Sequence, residues 1–462
     1  MKPSIYEERE SICPQCHQVL AANLIAEERG VYLEKSCPYH GTYRSRIASD
    51  YEWLSSLQSY SAYQVFPKTR QTKVIDGCPA DCGECPEHRQ IAAFFLFEIT
   101  DTCNLDCPIC LGKPRHPGYF ISSTEMESMV NSILSYVGPG QITTIGGGEP
   151  TIHPQFFELV NILKRNGFED IWVYTNGRRI AREPDFAQRL AEEDLYVVLQ
   201  WDGFSDSIYE TLRGRALLDE KKRALEAILQ SGGRFGICPT IAAGVNDHEL
   251  GNLYQMFLDE PALGTLDIAA MAYVGQGAGF QNGNQSRITT QDILIFLEKQ
   301  SQGYIRASDF SPVSFSHPEC LQIAYLLPVP GGDFIPLKRF LVTNDYQDLI
   351  LNKPLLVLDA GLEKPFRDLV NKLWSSGNND PDTLAGLKAI RHIIDTLFPK
   401  DGPLPPEELN DRSRDLVKVI LVHSYMDGQN FDLARAKNCI SRTMLPDGRM
   451  MPTCAYNVVH RK

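Results

Sequence analysis

The sequence predicts an α/β protein built on a parallel sheet and flanked by metal-binding segments. Three observations carry this. Short apolar runs alternate with amphipathic helical stretches between about residues 93 and 300, a Cys-x3-Cys-x2-Cys spacing occurs twice, and nine of the thirteen cysteines fall in the first 110 residues.

The alternating region begins with FFLFEIT, followed by a helical stretch at 124–136, then ITTIGG and 155–166, DIWVYTNG and 184–193. It continues with YVVLQWDG and 217–231, FGICPTIA and 246–258, and ends at LDIAAMAYV. Six strands with intervening helices imply right-handed crossovers in a parallel sheet, either open and doubly wound or closed into a full or partial barrel. Both architectures put functional loops at the carboxyl ends of strands.

The flanks differ in texture. Residues 1–92 show little helical periodicity and carry Cys-Pro and Gly-Cys punctuation, which reads as a small loop-rich unit organised by metals rather than by a core. Residues 303–462 are less regular, with a hairpin expected around LLPVPGGDFIPLKRF, helices at 361–376 and 382–397, and a cysteine-bearing tail. They read as an appended domain folding back on the core of 93–302, with DGPLPPEELNDRS as the best internal loop.

Composition narrows the partners. Lysine and arginine number 45 against 58 acids, a net charge of -13, so no broad basic face for nucleic acid is expected. No apolar run reaches the length of a membrane span, and MKPSIYEERE is too charged for a secretion signal, so a cytoplasmic protein is expected, with peripheral membrane contact left open. An odd number of cysteines at two- and three-residue gaps suits metal ligation better than a disulfide framework.

Cys103, Cys107 and Cys110 follow directly on the first strand of the alternating region. Their spacing lets three thiolates face three irons of a cubane and leaves the fourth iron open. An open iron can chelate the amino and carboxylate groups of S-adenosylmethionine (SAM) and pass it one electron. A zinc site or a purely electron-transferring cluster is the alternative. Gly146-Gly147-Gly148-Glu149-Pro150 ends the second strand, where residues without Cβ allow close approach and a carboxylate can take an ammonium; alone, it is equally a tight turn. Thr175-Asn176-Gly177 and Gln200-Trp201-Asp202-Gly203 end the third and fourth strands and bring hydroxyl and amide groups to the same rim.

The amino-terminal set Cys13-x2-Cys16 and Cys37-x2-His40 has the ligand count of a mononuclear tetrahedral site on two knuckles of a ribbon, compatible with zinc or a rubredoxin-like iron. His40 is alternatively a surface histidine beside a turn. Cys238, inside the fifth strand, reads as a buried inert thiol.

These motifs resemble the radical SAM superfamily. GCPADCGECPEH, LQWDG with ETLRG, PTIAAGVNDHE, SHPEC, FIPLKRF and PDGRMMPTCAYN further resemble the subgroup that includes archaeal tetraether lipid synthase and proteins described as pterin methyltransferases. The resemblance implies a partial TIM barrel of about six βα units, with a metal-binding amino-terminal unit and a carboxyl-terminal auxiliary iron–sulfur domain. It implies that Cys103, Cys107 and Cys110 hold a SAM-binding [4Fe–4S] cluster, that Gly147, Gly148 and Glu149 hold the methionine amino group, and that Thr175, Asn176 and Gln200 contact ribose or carboxylate. Ile109 stands where an aromatic residue is frequent, and Gly146 where a serine is.

Cys78, Cys82 and Cys85 repeat the cluster spacing without a preceding barrel strand and read as an auxiliary [4Fe–4S] site, its fourth ligand drawn from Cys320, Cys439 or Cys454. The subgroup resemblance implies a second auxiliary cluster on the remaining late cysteines, yet Ser314 and Phe315 stand where a cysteine is expected, so either His317 substitutes or that cluster is missing. In the amino-terminal site the resemblance favours iron. The implied activity is reductive cleavage of SAM to a 5′-deoxyadenosyl radical that takes hydrogen from an unactivated carbon, served by an electron donor such as flavodoxin or ferredoxin. Carbon–carbon bond formation on lipid-like alkyl chains is one expected outcome and radical methylation of a small polar substrate such as a pterin is another; a non-catalytic iron–sulfur electron carrier is the reading of a different class.

Overall fold

The computed structural model describes residues 4–461 except 59, 61–63, 68, 139–141, 281–286, 314, 342–360, 362, 376, 401, 403, 406, 407, 410, 411, 414 and 415. Ser314 and parts of the 361–376 and 401–413 segments therefore lie outside the described residues.

The amino-terminal unit is an antiparallel meander of β1 (Ser4–Ile12), β2 (Val19–Glu27), β3 (Gly30–Cys37) and β4 (Gly41–Ala48). A meander puts its first and third turns at one end, which brings the Cys13–Cys16 knuckle beside the Cys37–His40 knuckle. Its strands had no clear signature in the sequence, because each buries only a thin face. Ala22, Leu24, Val31, Leu33 and Ala48 pack with Leu54 and Leu57 of α1 (Tyr51–Leu57), so a small core accompanies the metal knuckles.

The central sheet contains the six expected parallel strands, β5 (Phe94–Thr100), β6 (Ile142–Gly147), β7 (Ile171–Thr175), β8 (Tyr196–Gln200), β9 (Phe235–Cys238) and, beyond the short β10 (Thr240–Ile241), β11 (Leu263–Ala270). Between them run α2 (Ser123–Tyr136), α3 (Phe156–Arg165), α4 (Arg178–Arg182), α5 (Pro184–Glu192), α6 (Asp206–Arg213), α7 (Leu218–Gln230) and α8 (Leu250–Asp259). α2 starts where Ser122 and Glu125 form a reciprocal capping box, which satisfies two otherwise orphaned amides. The period-2 pattern of β5 sorts its side chains: Phe95, Phe97 and Ile99 are wholly buried under the helices, while Leu96 and Glu98 face a central cavity. Truncating Phe97 to alanine costs about 3–5 kcal/mol for that reason.

Strands from the carboxyl-terminal third extend the same sheet at both edges. After α9 (Thr290–Gln300) come β12 (Ser311–Pro312), β13 (Leu321–Val329) and β14 (Asp333–Pro336), then α10 (Glu363–Ser375), α11 (Pro381–Leu397) and β15 (Lys418–Ser424). β15 runs parallel to β11 and antiparallel to β13, and Val329 opposite Asp333 closes the expected hairpin. After α12 (Leu433–Lys437), β16 (Ser441–Met444) pairs in parallel with β5 at the opposite edge and antiparallel with β17 (Met450–Pro452). A second core lies between β13, β15, α10 and α11, around Leu327, Phe366, Ile390 and Leu397. Among the described residues no helix is long and apolar enough to cross a membrane.

Candidate active site

The cavity lies inside the curl of the sheet, holds about 450 Å³, and is walled by inward residues from β5 to β15. Cys103, Cys107 and Cys110, on the loop after β5, all line it, as do Gly147, Gly148, Glu149, Thr175, Asn176 and Gln200 from the ends of β6, β7 and β8. The six cofactor-binding residues and the three thiols expected from sequence therefore share one chamber.

The glycine run lies directly against the segment that leads into the three-cysteine loop. A Cβ on Gly147, whose φ is +115°, would meet the Thr100 carbonyl oxygen at 2.3 Å, and one on Gly148 would meet that of Thr102 at 2.1 Å. The backbones are joined there: the Gly148 amide donates to Thr100 at 2.7 Å and the Glu149 amide to Thr102 at 2.9 Å. Only residues without side chains let the end of β6 lie against the segment that leads into Cys103. On the far side the Gln276 amide donates to the Cys110 carbonyl at 3.0 Å and its side chain reaches Asp106 at 2.6 Å, so the loop after β11 braces the other end.

Glu149 is buried, and its carboxylate is a junction. Oε1 accepts the Thr151 hydroxyl at 2.6 Å and the Thr175 hydroxyl at 2.7 Å, and Oε2 accepts the Asn176 amide at 2.8 Å. Asn176 in turn donates to the Asn104 side chain at 2.7 Å, next to Cys103. Lys221 of α7 donates to Gln200 Oε1 at 2.5 Å and to the Asn176 carbonyl at 2.7 Å, so one buried amine fixes two of the expected cofactor contacts. Burial pulls the Lys221 amine down to about 7, opposed by the nearby Asp202 carboxylate. Nothing in the sequence singled out Lys221, because a lysine on an amphipathic helix reads as a solvated face.

Two arginines lie against the thiols. Arg213 forks onto Asp202 with contacts of 2.7 and 2.8 Å and also reaches the Cys107 thiol. Arg461 pairs with Glu98 through its guanidinium, 3.0 Å at one contact, and neighbours Cys110. Burial pushes the Cys103 thiol up to about 12 and raises Cys110, so any metal held here would have to displace protons from these groups. Three thiols on one loop, open to a chamber and flanked by cations, fit a cluster of net negative charge.

In the ribbon the candidate ligand atoms of Cys13, Cys16, Cys37 and His40 all lie within 4.8 Å of one another. His40 Nδ1 is 3.5 Å from Cys13 Sγ and 3.4 Å from Cys37 Sγ, which sets that edge of the imidazole against the thiols. The other cysteines fall into two groups. Cys78 and Cys82 are hydrogen-bonded neighbours with Cys85 close by, packed near Met426, Met451 and Ala455. Cys320, Cys439 and Cys454 line the main cavity and lie near one another. The wholly buried Arg442 ties the two regions, donating to Glu84 at 2.6 Å and to the Gln90 carbonyl at 2.9 Å. His317 sits instead amid Arg9, Glu319, Asp432 and Arg435. Cys238, read from sequence as an inert strand thiol, lines the cavity beside Asp267 and His423. Only strand register could have revealed that.

Residues 97–257 match the model of the radical SAM superfamily, and residues 5–49 match that of the HMPTM N-terminal zinc ribbon domain. The chain is 26% identical to a 7,8-dihydro-6-hydroxymethylpterin dimethyltransferase of Methanocaldococcus jannaschii, over 98% of this chain and 93% of the relative. It is 31% identical to the mycofactocin maturase MftC of Mycobacterium ulcerans over 39% of this chain and 48% of that one. Among solved structures, Streptococcus suis SuiB bound to its precursor peptide SuiA aligns with a TM-score of 0.39 and 15% identity, covering 47% of each chain.

Proposed function

We propose that this protein, whose residues 97–257 match the radical SAM superfamily, is an enzyme that uses SAM-derived radical chemistry to methylate a small nitrogen heterocycle of the pterin class. The observation that carries the reading is the near full-length similarity to a pterin dimethyltransferase, which includes both the ribbon and the carboxyl-terminal region. A radical SAM domain implies a [4Fe–4S] cluster and SAM; when bound, they supply the one-electron cleavage of a carbon–sulfur bond.

The chain's own residues would divide the remaining work. Cys103, Cys107 and Cys110 would hold the cluster. Gly147, Gly148, Glu149, Thr175, Asn176 and Gln200 would seat the cofactor, with Lys221 as a positioning residue that fixes Gln200 and the Asn176 backbone. Cys78, Cys82 and Cys85 would hold an auxiliary cluster, with a fourth ligand from Cys320, Cys439 or Cys454. The ribbon set would hold zinc or iron. Tyr174, Asp267 and His423 make one part of the cavity wall polar, as a heterocycle with amide-like edges requires.

A second reading, joining of lipid-like alkyl chains, draws on the apolar residues Phe94, Leu96, Trp172, Val198 and Leu421 of the same wall. The two are separated by anaerobic reconstitution, addition of dithionite and SAM, and mass spectrometry. The pterin reading expects 5′-deoxyadenosine together with a 14-dalton gain on 7,8-dihydro-6-hydroxymethylpterin. Formation of 5′-deoxyadenosine with unchanged pterin, but with altered alkyl substrate, would overturn it. Absence of 5′-deoxyadenosine from a fully loaded protein would favour a mere electron carrier.

A further inference from the structure

Three inward side chains on adjacent strands meet in the cavity and have no part in the cofactor cradle. Parallel pairing sets Leu266 of β11 opposite Ile237 of β9, and Asp267 opposite Leu421 of β15. Cys238 and Asp267 are therefore on neighbouring rungs with the same inward sense, and His423 stands one pleat further along β15. Their candidate ligand atoms all lie within 4.8 Å of one another, with His423 Nε2 3.1 Å from Asp267 Oδ1. The Tyr174 hydroxyl donates to Oδ2 of Asp267 at 2.8 Å, which fixes the carboxylate and leaves Oδ1 to the imidazole.

We propose that Cys238, Asp267 and His423 bind a divalent zinc or ferrous ion within the cavity, with one coordination position open to substrate. Thiolate, imidazole and carboxylate together form a donor set suited to these ions. Bonds of about 2.0–2.3 Å in a tetrahedral arrangement place ligand atoms roughly 3.3–3.8 Å apart, a separation the three side chains reach by small rotations. The hydrogen bond from Tyr174 is the outer contact a metal-bound carboxylate requires to stay oriented. Charge also balances, since a thiolate and a carboxylate neutralise a dication, which suits a wall that also carries Leu96, Val198 and Ala269. Three protein ligands and an open position facing a chamber describe a site that binds and polarises an oxygen or nitrogen donor of the substrate. The nature of that donor rests on the heterocycle reading above; binding of the ion does not.

The test is anomalous scattering at the zinc and iron absorption edges from crystals of the anaerobically reconstituted full-length enzyme. A peak at either edge, within bonding distance of Cys238, Asp267 and His423, is expected beside those of the ribbon and the Cys103 trio. His423→Ala and Asp267→Asn should each remove that peak and one metal equivalent per chain while the ribbon peak stays. A filled ribbon with nothing between the three side chains would overturn the proposal and leave a plain hydrogen-bonded group. Absence of iron at the Cys103 trio would instead count against the radical SAM reading, and the two outcomes are read independently from one map.

Discussion

Glu149 Oε1 accepts the Thr175 hydroxyl at 2.7 Å, so a carboxylate at the end of one barrel strand fixes the end of the next. The same group takes the Asn176 amide at 2.8 Å through Oε2, and every one of these donors is buried or nearly so. In Glu149→Gln an amide nitrogen must replace one acceptor and face a donor. Each lost buried hydrogen bond costs about 1–3 kcal/mol, so SAM affinity should fall roughly tenfold to a hundredfold. Equilibrium binding of SAM to the loaded protein checks this, with circular dichroism expected unchanged.

Gly148→Ala tests the contact between the glycine run and the cluster loop. Its Cβ would fall 2.1 Å from the Thr102 carbonyl oxygen, and backbone on both sides leaves no flexible side chain to yield. The loop carrying Cys103 must shift, so iron and sulfide bound per chain should drop by about one cubane while the ribbon metal is retained. Gly279→Ala, at a glycine without a positive φ whose added Cβ meets nothing within 4 Å, is the control for general damage.

Lys221→Met removes the donor shared by Gln200 and Asn176, leaves two half-buried acceptors without it, and should raise the KM for SAM roughly tenfold or more. It should also flatten a pH dependence. The amine is held near 7 in the folded chain against a usual value of 10.5, so the unfolded chain binds more protons between those limits. Stability from this group is thus fully present above pH 10.5 and is lost as pH falls toward 7. Thermal melts of the wild type should rise with pH across this window relative to the methionine variant.

Arg213→Gln takes a cation away from Cys107, and Asp202 loses its bidentate partner. Positive charge near a cluster favours the reduced, more negative state, so the reduction potential of the Cys103 cluster should move downward. Redox titration followed by electron paramagnetic resonance reads the shift, and an unchanged potential would limit Arg213 to packing.

His40→Ala should release one metal ion per chain by leaving a three-thiol set open on one side. The barrel has its own core, so SAM cleavage should survive while the ribbon becomes sensitive to proteolysis, which limited digestion would detect.

Much of this was legible in the residues themselves. The apolar runs from FFLFEIT to LDIAAMAYV gave six parallel strands in order, and the loops at their ends converged as the α/β architecture requires. What escaped was structure whose signal is not local. β1–β4 alternate too weakly to stand out, and α4 and α6 are short and polar, each too brief for a period to register. That β15 and β16 would join opposite edges of one sheet depends on pairing between distant segments, which no window of sequence contains. The grouping of Cys238 with Asp267 and His423 follows from that same pairing.

The parallel neighbour of Phe94–Phe97 is Ser441–Met444, so the strand that runs into the Cys103 loop keeps an unpaired edge until a segment far away in the chain docks on it. Cys439 and Cys454 flank that segment and its hairpin partner, so the same docking brings both thiols to the chamber wall. Protection of the β5 edge and completion of the chamber are therefore one folding event, and pairing across so long a sequence separation is slow to form.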